Sequence, residues 1–363
     1  MKVGNYEVSE TVPLPPKSDY GIGLVGCGGI VNYAHLPAYR ANNLNVVACF
    51  DVNREAAEQT AREYNIPKVA ASLAELLADP AVEIVDIAVP AQHQLSVVEQ
   101  VAAAGKHMLC QKPLSTNFRD AARIVEIARQ AGVKLAVNQQ MRWDAGIRVA
   151  RQLISAGAIG EPVDGRIQVN VKTPWDMWPW LAAIPQMEVM YHSIHYIDSL
   201  RFLFGDPQRV SSFHAKYPGQ KAIGESKTLS VWEYPGALQV LIDSFHANWS
   251  DEVSAIFRFT GTVGIIKGTI GLLYDYPNGR PDTLAYQALG EDGQPEPWQE
   301  VPLTKKWIPD AFIGPMASLM EAIQTAAEAI TSGADNLRTF QVAQAEYRSA
   351  AEHRAVEPGE IVP

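Results

Sequence analysis

From Tyr20 to about Val137 the chain alternates short apolar runs with stretches whose apolar residues recur every three or four positions. "YGIGLVG", "NVVACFD", "EIVDIAVP", "KHMLCQ" and "VKLAVN" are continuous enough to predict strands buried on both faces. "NREAAEQTAREYN", "SLAELLA", "QLSVVEQVAAAG" and "FRDAARIVEIARQAG" have helical spacing, and several close on Gly or Asn. Such alternation predicts a doubly wound α/β domain with a parallel sheet. After the helical "DAGIRVARQLISAGAIG" the pattern changes, and strand follows strand in "DGRIQVNVK", "KTLSVWEYPGALQVLIDSFHANW" and "SAIFRFTGTVGIIKGT". With "YPGA" and "FTGTVG" as tight turns, this half predicts an α+β domain with an open, largely antiparallel sheet. Helices are expected at about 311–332 and 336–354. The opening residues, with Pro13, Pro15 and Pro16, lack either period. The expected division is therefore an extended leader over 1–18, a doubly wound domain over 19–140 and a sheet-rich domain over 141–363.

A chain of 363 residues is long for one core, which agrees with two domains. With 47% hydrophobic and 19% charged residues, its composition is that of an ordinary globular protein. A net charge of −10 sets nucleic acid aside as a partner, because phosphate binding needs a Lys/Arg excess. A membrane is set aside as well: the N-terminus has no apolar signal core, and no apolar run approaches the length of a spanning helix. Cys27, Cys49 and Cys110 have neither an even count nor CxxC spacing. They point to a reducing cytoplasm rather than to disulfides or a zinc site.

"GLVGCGGIV" places Gly26, Gly28, Gly29 and Ile30 directly after a strand and before a helix. Glycines there let the backbone turn tightly and approach a pyrophosphate at the helix N-terminus. The third fingerprint position is Val31 rather than a small residue. Asp51 ends the next strand, where a carboxylate accepts hydrogen bonds from an adenosine ribose and repels a 2′-phosphate. NAD is thus expected over NADP, with Arg54 as the residue that would favour the phosphate.

"MEVMYHSIHYID" concentrates Glu188, Tyr191, His192, His195 and Asp198, and residues 187–200 hold no Lys or Arg. Read as a helix over 187–204, it puts Met190, Ile194, Ile197, Leu200 and Phe204 on one face and Glu188, His192 and His195 on the other. That polar face is expected to line a cleft. A metal on Glu188, His192 and His195 is set aside, because residues so spaced along one helix span about 10 Å, although His246 in "FHANW" could add a ligand.

Beyond these local signals, "GCGGIVNYAHLPAY", "AGKHMLCQKPLS", "MRWD", "HYIDSLRFLFGDP" and "YRSAAEHRAVEP" resemble the Gfo/Idh/MocA family of glucose–fructose oxidoreductase, inositol dehydrogenase and rhizopine-catabolism proteins. The resemblance covers nearly the whole chain. It implies an N-terminal Rossmann domain and an active site between two domains. It also implies an open sheet that supports dimers or tetramers, and a nicotinamide cofactor acting on sugars, inositols and related polyols. Lys112 and Pro113 match the family's Glu-Lys-Pro motif, with Gln111 in the glutamate's place. His195 matches the histidine of its Asp-x-x-x-His pair, with Tyr191 in the aspartate's place. A family histidine after the fourth strand is displaced, with His93 and Gln94 in its neighbourhood.

The expected reaction is therefore NAD-dependent oxidation of a CH–OH group on a sugar, sugar derivative or cyclic polyol. Lys112 would stabilise charge on the reacting oxygen. His195 would take its proton, with His192 or Tyr191 orienting it. The expected cofactor contacts are Gly26, Gly28, Gly29, Ile30, Asp51, Arg54, Pro90, His93, Gln111, Lys112 and Gln140. Lys112, Arg142, Trp175, Asp176, Trp178, His192 and His195 are expected at the substrate, since indole faces stack on the apolar faces of sugar rings. Two alternatives stand beside this reading. One is a redox-neutral glycosidase, lyase or epimerase working through a transient keto-sugar. The other is a non-catalytic dinucleotide and sugar sensor.

Overall fold

The computed structural model describes residues 1–177, 179–250 and 252–363. It divides into two compact units, one of Val12–Gln140, Ile308–Leu337 and Pro363, the other of Met1–Thr11, Met141–Trp307 and Arg338–Val362. This division departs from the expected one at both ends of the chain. Residues 1–8 are not an extended leader: β1 (Lys2–Val3) pairs antiparallel with β2 (Tyr6–Glu7) across a turn in which Gly4 has φ +55°. The Gly4 N–H donates to Gln299 Oε1 and the Ser9 N–H to Gln152 Oε1, which ties the segment to the second unit. Two-residue strands carry no readable period, and the prolines that suggested a leader all follow the hairpin.

The nucleotide unit is a six-stranded parallel sheet. Its strands are β3 (Ile22–Val25), β4 (Val46–Phe50), β5 (Lys68–Val69), β6 (Ile84–Ile87), β7 (His107–Cys110) and β8 (Leu135–Val137), ordered β5-β4-β3-β6-β7-β8. This is the doubly wound order, with its switch point beside β3. The connecting helices are α1 (Leu36–Ala41), α2 (Arg54–Tyr64), α3 (Leu73–Ala78), α4 (Ala91–Ala103) and α5 (Phe118–Gln130). Asn53, Ser72 and Asn117 cap α2, α3 and α5 by accepting backbone N–H bonds, which sets where each helix starts. Every residue of β3 and β6 is buried, as the unbroken apolar runs require.

In the second unit α6 (Ala145–Ser155) leads into an eight-stranded sheet. Its strands are β9 (Pro162–Asn170), β10 (Arg209–Ala215), β11 (Lys227–Glu233), β12 (Gln239–Phe245), β13 (Ser254–Gly261), β14 (Gly264–Thr269), β15 (Leu284–Ala288) and β16 (Gln299–Val301). The order is β10-β11-β12-β9-β13-β14-β15-β16, antiparallel throughout except for the parallel pair β12–β9. Between β9 and β10 the chain forms α7 (Pro179–Ala182) and α8 (Ile194–Phe204). Alternation is clear on β13, where Ala255, Phe257 and Phe259 are buried and Ile256 and Arg258 are exposed.

The chain closes with α9 (Ile313–Thr325) and α10 (Gly333–Glu352). Counted by sequence order, α9 was expected in the second domain; it packs instead on β7 and β8. Just beyond it, Thr331 O accepts from the Val137 N–H at 2.8 Å and Ser332 bridges Ala136, so this segment covers the otherwise open edge of β8. Among the described residues no helix is long and apolar enough to cross a membrane.

Buried carboxylates cluster on the inner face of the second unit's sheet. Glu346 accepts from Trp232 Nε1 at 2.9 Å, and Glu225 accepts from the hydroxyl of Tyr347. Burial raises the Glu346 carboxyl from its ordinary 4.5 to about 8, with the charge of Glu188 adding to the shift. The folded state therefore holds a proton that the unfolded chain has lost, and stability falls as pH rises between those two values. Glu346→Gln keeps the acceptor for Trp232 and removes the ionisation. Its melting temperature should match wild type near pH 5 and exceed it by several degrees above pH 8. Melting curves at both pH values test this, and a constant difference between variant and wild type would count against it.

Candidate active site

In the nucleotide unit, Gly26 has φ +98°, and a Cβ added there would lie 2.6 Å from Ala88 O. Only glycine fits where β3 passes the end of β6. Gly28 and Gly29 are exposed, and a Cβ on either would meet nothing within 4 Å, so the loop fronts open space. The chain then enters a helix through a π-turn, Val31–His35, that continues as α1. Val31, where the fingerprint usually has a small residue, is fully buried at the start of this wider turn.

Asp51 is tied to the glycine loop: its Oδ2 accepts from the Cys27 N–H and its Oδ1 from the Asn53 N–H, both at 2.7 Å. A carboxylate has about four acceptor positions, so both oxygens retain capacity for ribose hydroxyls. Arg54 is paired along its own helix with Glu58 at 2.8 Å. Ile30 is half-buried and Pro90 exposed. Gln140 is buried, and its Oε1 lacks a hydrogen-bond partner among the described residues, an acceptor left for a ligand or water. The open glycine cradle, the anchored carboxylate and this orphaned acceptor fit a dinucleotide.

Lys112 follows β7 at the carboxyl edge of the sheet, where open α/β sheets bind ligands. Its peptide is held closely. Gln111 Oε1 accepts from the Lys112 N–H at 2.8 Å, and Gln94 Nε2 donates to the carbonyls of Gln111 and Pro113 at 2.7 and 2.9 Å. Burial lowers the lysine from 10.5 to about 7. His93 is exposed on the first turn of α4, and it is Gln94, one residue on, that turns inward. The role of Gln94 was not legible, because an amide in a helix gives no sign of which loop it will reach.

The histidine segment is helical, but it opens with a second π-turn, Val189–Ser193, ahead of α8. That extra residue overturns the simple face expected for Glu188, His192 and His195. Glu188 does not line a cleft; it is fully buried, accepting from Ser193 Oγ at 2.5 Å, Thr228 Oγ1 at 2.6 Å and Ser244 Oγ at 2.8 Å. Burial raises its carboxyl to about 7 against the pull of these hydroxyls. His192 is half-buried and stacks on His246, with ring centroids 4.2 Å apart, while Trp175 meets it edge-on at 6.2 Å. His246 bonds Thr173 Oγ1 through Nδ1 at 2.8 Å, and burial lowers it to about 3, which keeps it neutral. His195 is 7% exposed, edge-on to Trp307 at 5.1 Å.

Tyr191 packs edge-on to Trp180 and against a small cluster of Leu181, Met187 and Ala222. Asp176 is exposed and paired with Lys221. Trp178 lies outside the described residues. The guanidinium of Arg142, a residue expected at the substrate, is buried and forms a two-pronged pair with Asp198, both bonds 2.6 Å. Neither residue's sequence context hinted at this pairing across 56 positions.

Glu188, His192 and His246 offer ligand atoms within 4.8 Å of one another, a different trio from the one weighed in the sequence. The two imidazoles lie 13° from parallel, so their in-plane lone pairs do not converge on one point. Glu188 Oε1 already accepts two hydroxyls. Glu188 is bonded to hydroxyls outside the trio and the two imidazoles are stacked, an arrangement unlike a metal's coordination shell.

Residues 20–139 match the model of an oxidoreductase family with an NAD-binding Rossmann fold, and residues 147–294 match the GFO/IDH/MocA C-terminal domain. A D-apiose dehydrogenase of Paraburkholderia graminis is 29% identical, over 92% of this chain and 88% of its own length. An inositol 2-dehydrogenase of Rhizobium meliloti is 25% identical, over 92% of this chain and 98% of its own. Among solved structures, an oxidoreductase from Agrobacterium radiobacter in complex with NAD+, L-tartaric acid and magnesium shares the fold, with a TM-score of 0.82 at 24% identity, covering 95% of this chain and all of that one.

Proposed function

Because the chain belongs to the GFO/IDH/MocA oxidoreductases, with their NAD-binding Rossmann domain, we propose that it oxidises a CH–OH group of a sugar, sugar derivative or cyclic polyol. The observation that carries this reading is the aromatic wall around the second unit's histidines. Trp175 meets His192 edge-on and Trp307 meets His195 edge-on. Indoles match the apolar faces of a sugar ring, and imidazoles supply acid–base chemistry beside them. The relatives named for D-apiose and inositol support the same substrate class.

Bound NAD supplies the hydride acceptor. The Gly28–Gly29 backbone would hold its pyrophosphate and Asp51 its adenosine ribose. His195 takes the proton of the reacting hydroxyl. The Lys112 ammonium stabilises the negative charge that grows on the same oxygen as the carbon–hydrogen bond breaks. Trp175 supports the ring and Asp176 binds a hydroxyl at its rim.

Incubation with NAD and a panel containing D-apiose, inositols and other sugars and polyols, followed by NADH absorbance, tests this reading. Saturable NADH formation from at least one is expected. Saturable NAD binding with no NADH from any of them would overturn it, and altered sugar without NADH would indicate redox-neutral chemistry instead. NADP is expected to bind more weakly than NAD because Asp51 repels a 2′-phosphate. Tighter NADP binding at ordinary salt would count against that role.

The outer face of the second unit's sheet carries Phe213 (64% exposed) and Ile256 (38% exposed) beside the half-buried Leu229, Leu241 and Ile265. A homodimer or homotetramer covering that face in a reducing cytoplasm is the assembly proposed. Sedimentation showing only a 39.7 kDa species at micromolar concentration would contradict it.

A further inference from the structure

We propose that His35, oriented by Asp86, is a positioning residue for Lys112, acting through the Gln111 side chain on the peptide that carries the lysine. The inference rests on the reading of Lys112 as the polarising donor, and its evidence lies within the nucleotide unit. His35 is the last residue of the first π-turn and is fully buried. Its Nδ1 is 2.7 Å from Asp86 Oδ2, and the hydroxyl of Tyr39 donates to the same oxygen at 2.8 Å. Facing a carboxylate, Nδ1 carries the ring proton.

The other ring nitrogen then carries a lone pair and needs donors. Nε2 lies 3.1 Å from Asn138 Nδ2 and 3.3 Å from Gln111 Nε2. The orientation of the Gln111 amide is set independently, because its Oε1 accepts from the Lys112 N–H at 2.8 Å. Every link has one sense only: Tyr39 and His35 donate to Asp86, Gln111 donates to His35, and Lys112 donates to Gln111. Phe312, 5.2 Å from the imidazole, helps wall the ring in. Gln94 meanwhile holds the carbonyls on either side of the lysine. The Lys112 peptide is thus held at its N–H and at both flanking carbonyls.

Asp86 is a costly residue to place on a central parallel strand, fully buried where an aliphatic side chain would serve the core. A network kept only for stability has no reason to end on the lysine's own N–H. A positioning network does, because a misplacement of about 1 Å at a reacting group costs roughly 100-fold in rate.

Gln111→Met keeps the side chain's length and removes both of its hydrogen bonds. On a sugar that the wild type oxidises, it is expected to lower turnover roughly 10- to 100-fold, with KM for the sugar changed only a few-fold and melting temperature near wild type. His35→Asn should act in the same direction. In a Lys112→Ala background Gln111→Met should cause no further loss, since its effect passes through the lysine.

A readout that needs no substrate is the pH dependence of Lys112 acetylation by acetic anhydride, followed by mass spectrometry. Gln111→Met and His35→Asn should both move its midpoint up towards that of an ordinary lysine, and so slow labelling near neutral pH. Because Gln111 is only partly buried, its variant keeps the test open if His35→Asn fails to fold. Labelling unchanged in Gln111→Met would overturn the proposal, as would a turnover loss equally large with and without Lys112. Full turnover in Lys112→Ala with altered labelling in Gln111→Met would instead sink the catalytic reading of Lys112 and leave the positioning intact.

Discussion

His195→Ala is expected to lower turnover roughly 10²–10⁴-fold with NAD affinity unchanged. Hydride leaves carbon readily only as the hydroxyl proton departs, so removing the proton acceptor raises the barrier of that step and little else. Lys112→Ala should also act on turnover, because it removes charge stabilisation that exists only in the transition state. If the two serve one step, the double variant should lose far less than the product of the single losses. His192→Ala is the control. His192 stacks on His246 and meets Trp175, contacts that suit lining a ring more than taking a proton. It should cost less than His195→Ala. Full turnover in His195→Ala would end this mechanism, and a larger loss from His192→Ala would move the base by one turn.

Arg142→Ala should destabilise the second unit by about 3–5 kcal/mol, because it leaves Asp198 buried without its charge partner. Asp198 is 1% exposed, and besides Arg142 it accepts from Thr339 at 2.7 Å. Thr339 in turn accepts from Arg201, which pairs with Asp206, so the loss spreads between α8 and α10. Replacing both charges by apolar residues of similar volume, as in Arg142→Met with Asp198→Leu, should cost much less than either single change. Urea midpoints of the three variants measure this. Arg142→Ala within about 1 kcal/mol of wild type would return the arginine to the substrate.

The doubly wound sheet was legible because its strands are buried on both faces and so appear as unbroken apolar runs. Asp51 was legible because a fingerprint sets its distance from the glycines. Lys112 and His195 stood out only through motif resemblance, which is why their roles are proposals, since a lone lysine or histidine carries no mark of its surroundings. What stayed hidden depends on contacts between distant segments. α9 is apolar almost all round, and nothing in such a helix says which sheet it will cover. His246 joins His192 from the end of β12, and Arg142 finds Asp198 on α8; neither pair shares a local pattern. The two-residue strands β1, β2 and β5 are too short for any period to register.

The π-turn ahead of α8 has a consequence for tolerance to change. Such a turn closes on i→i+5 bonds and carries one residue more than an α-turn, and these turns recur at functional sites. It acts as an angular buffer: residues before it take an orientation that α8 does not dictate. Glu188 can face Thr228 and Ser244 on the sheet while His195 faces Trp307. An α-helix without the extra residue would tie those two directions to one pitch. The stretch before the turn, with Trp175 and Asp176 further upstream, is thereby free to diverge in sequence while His195 keeps its direction.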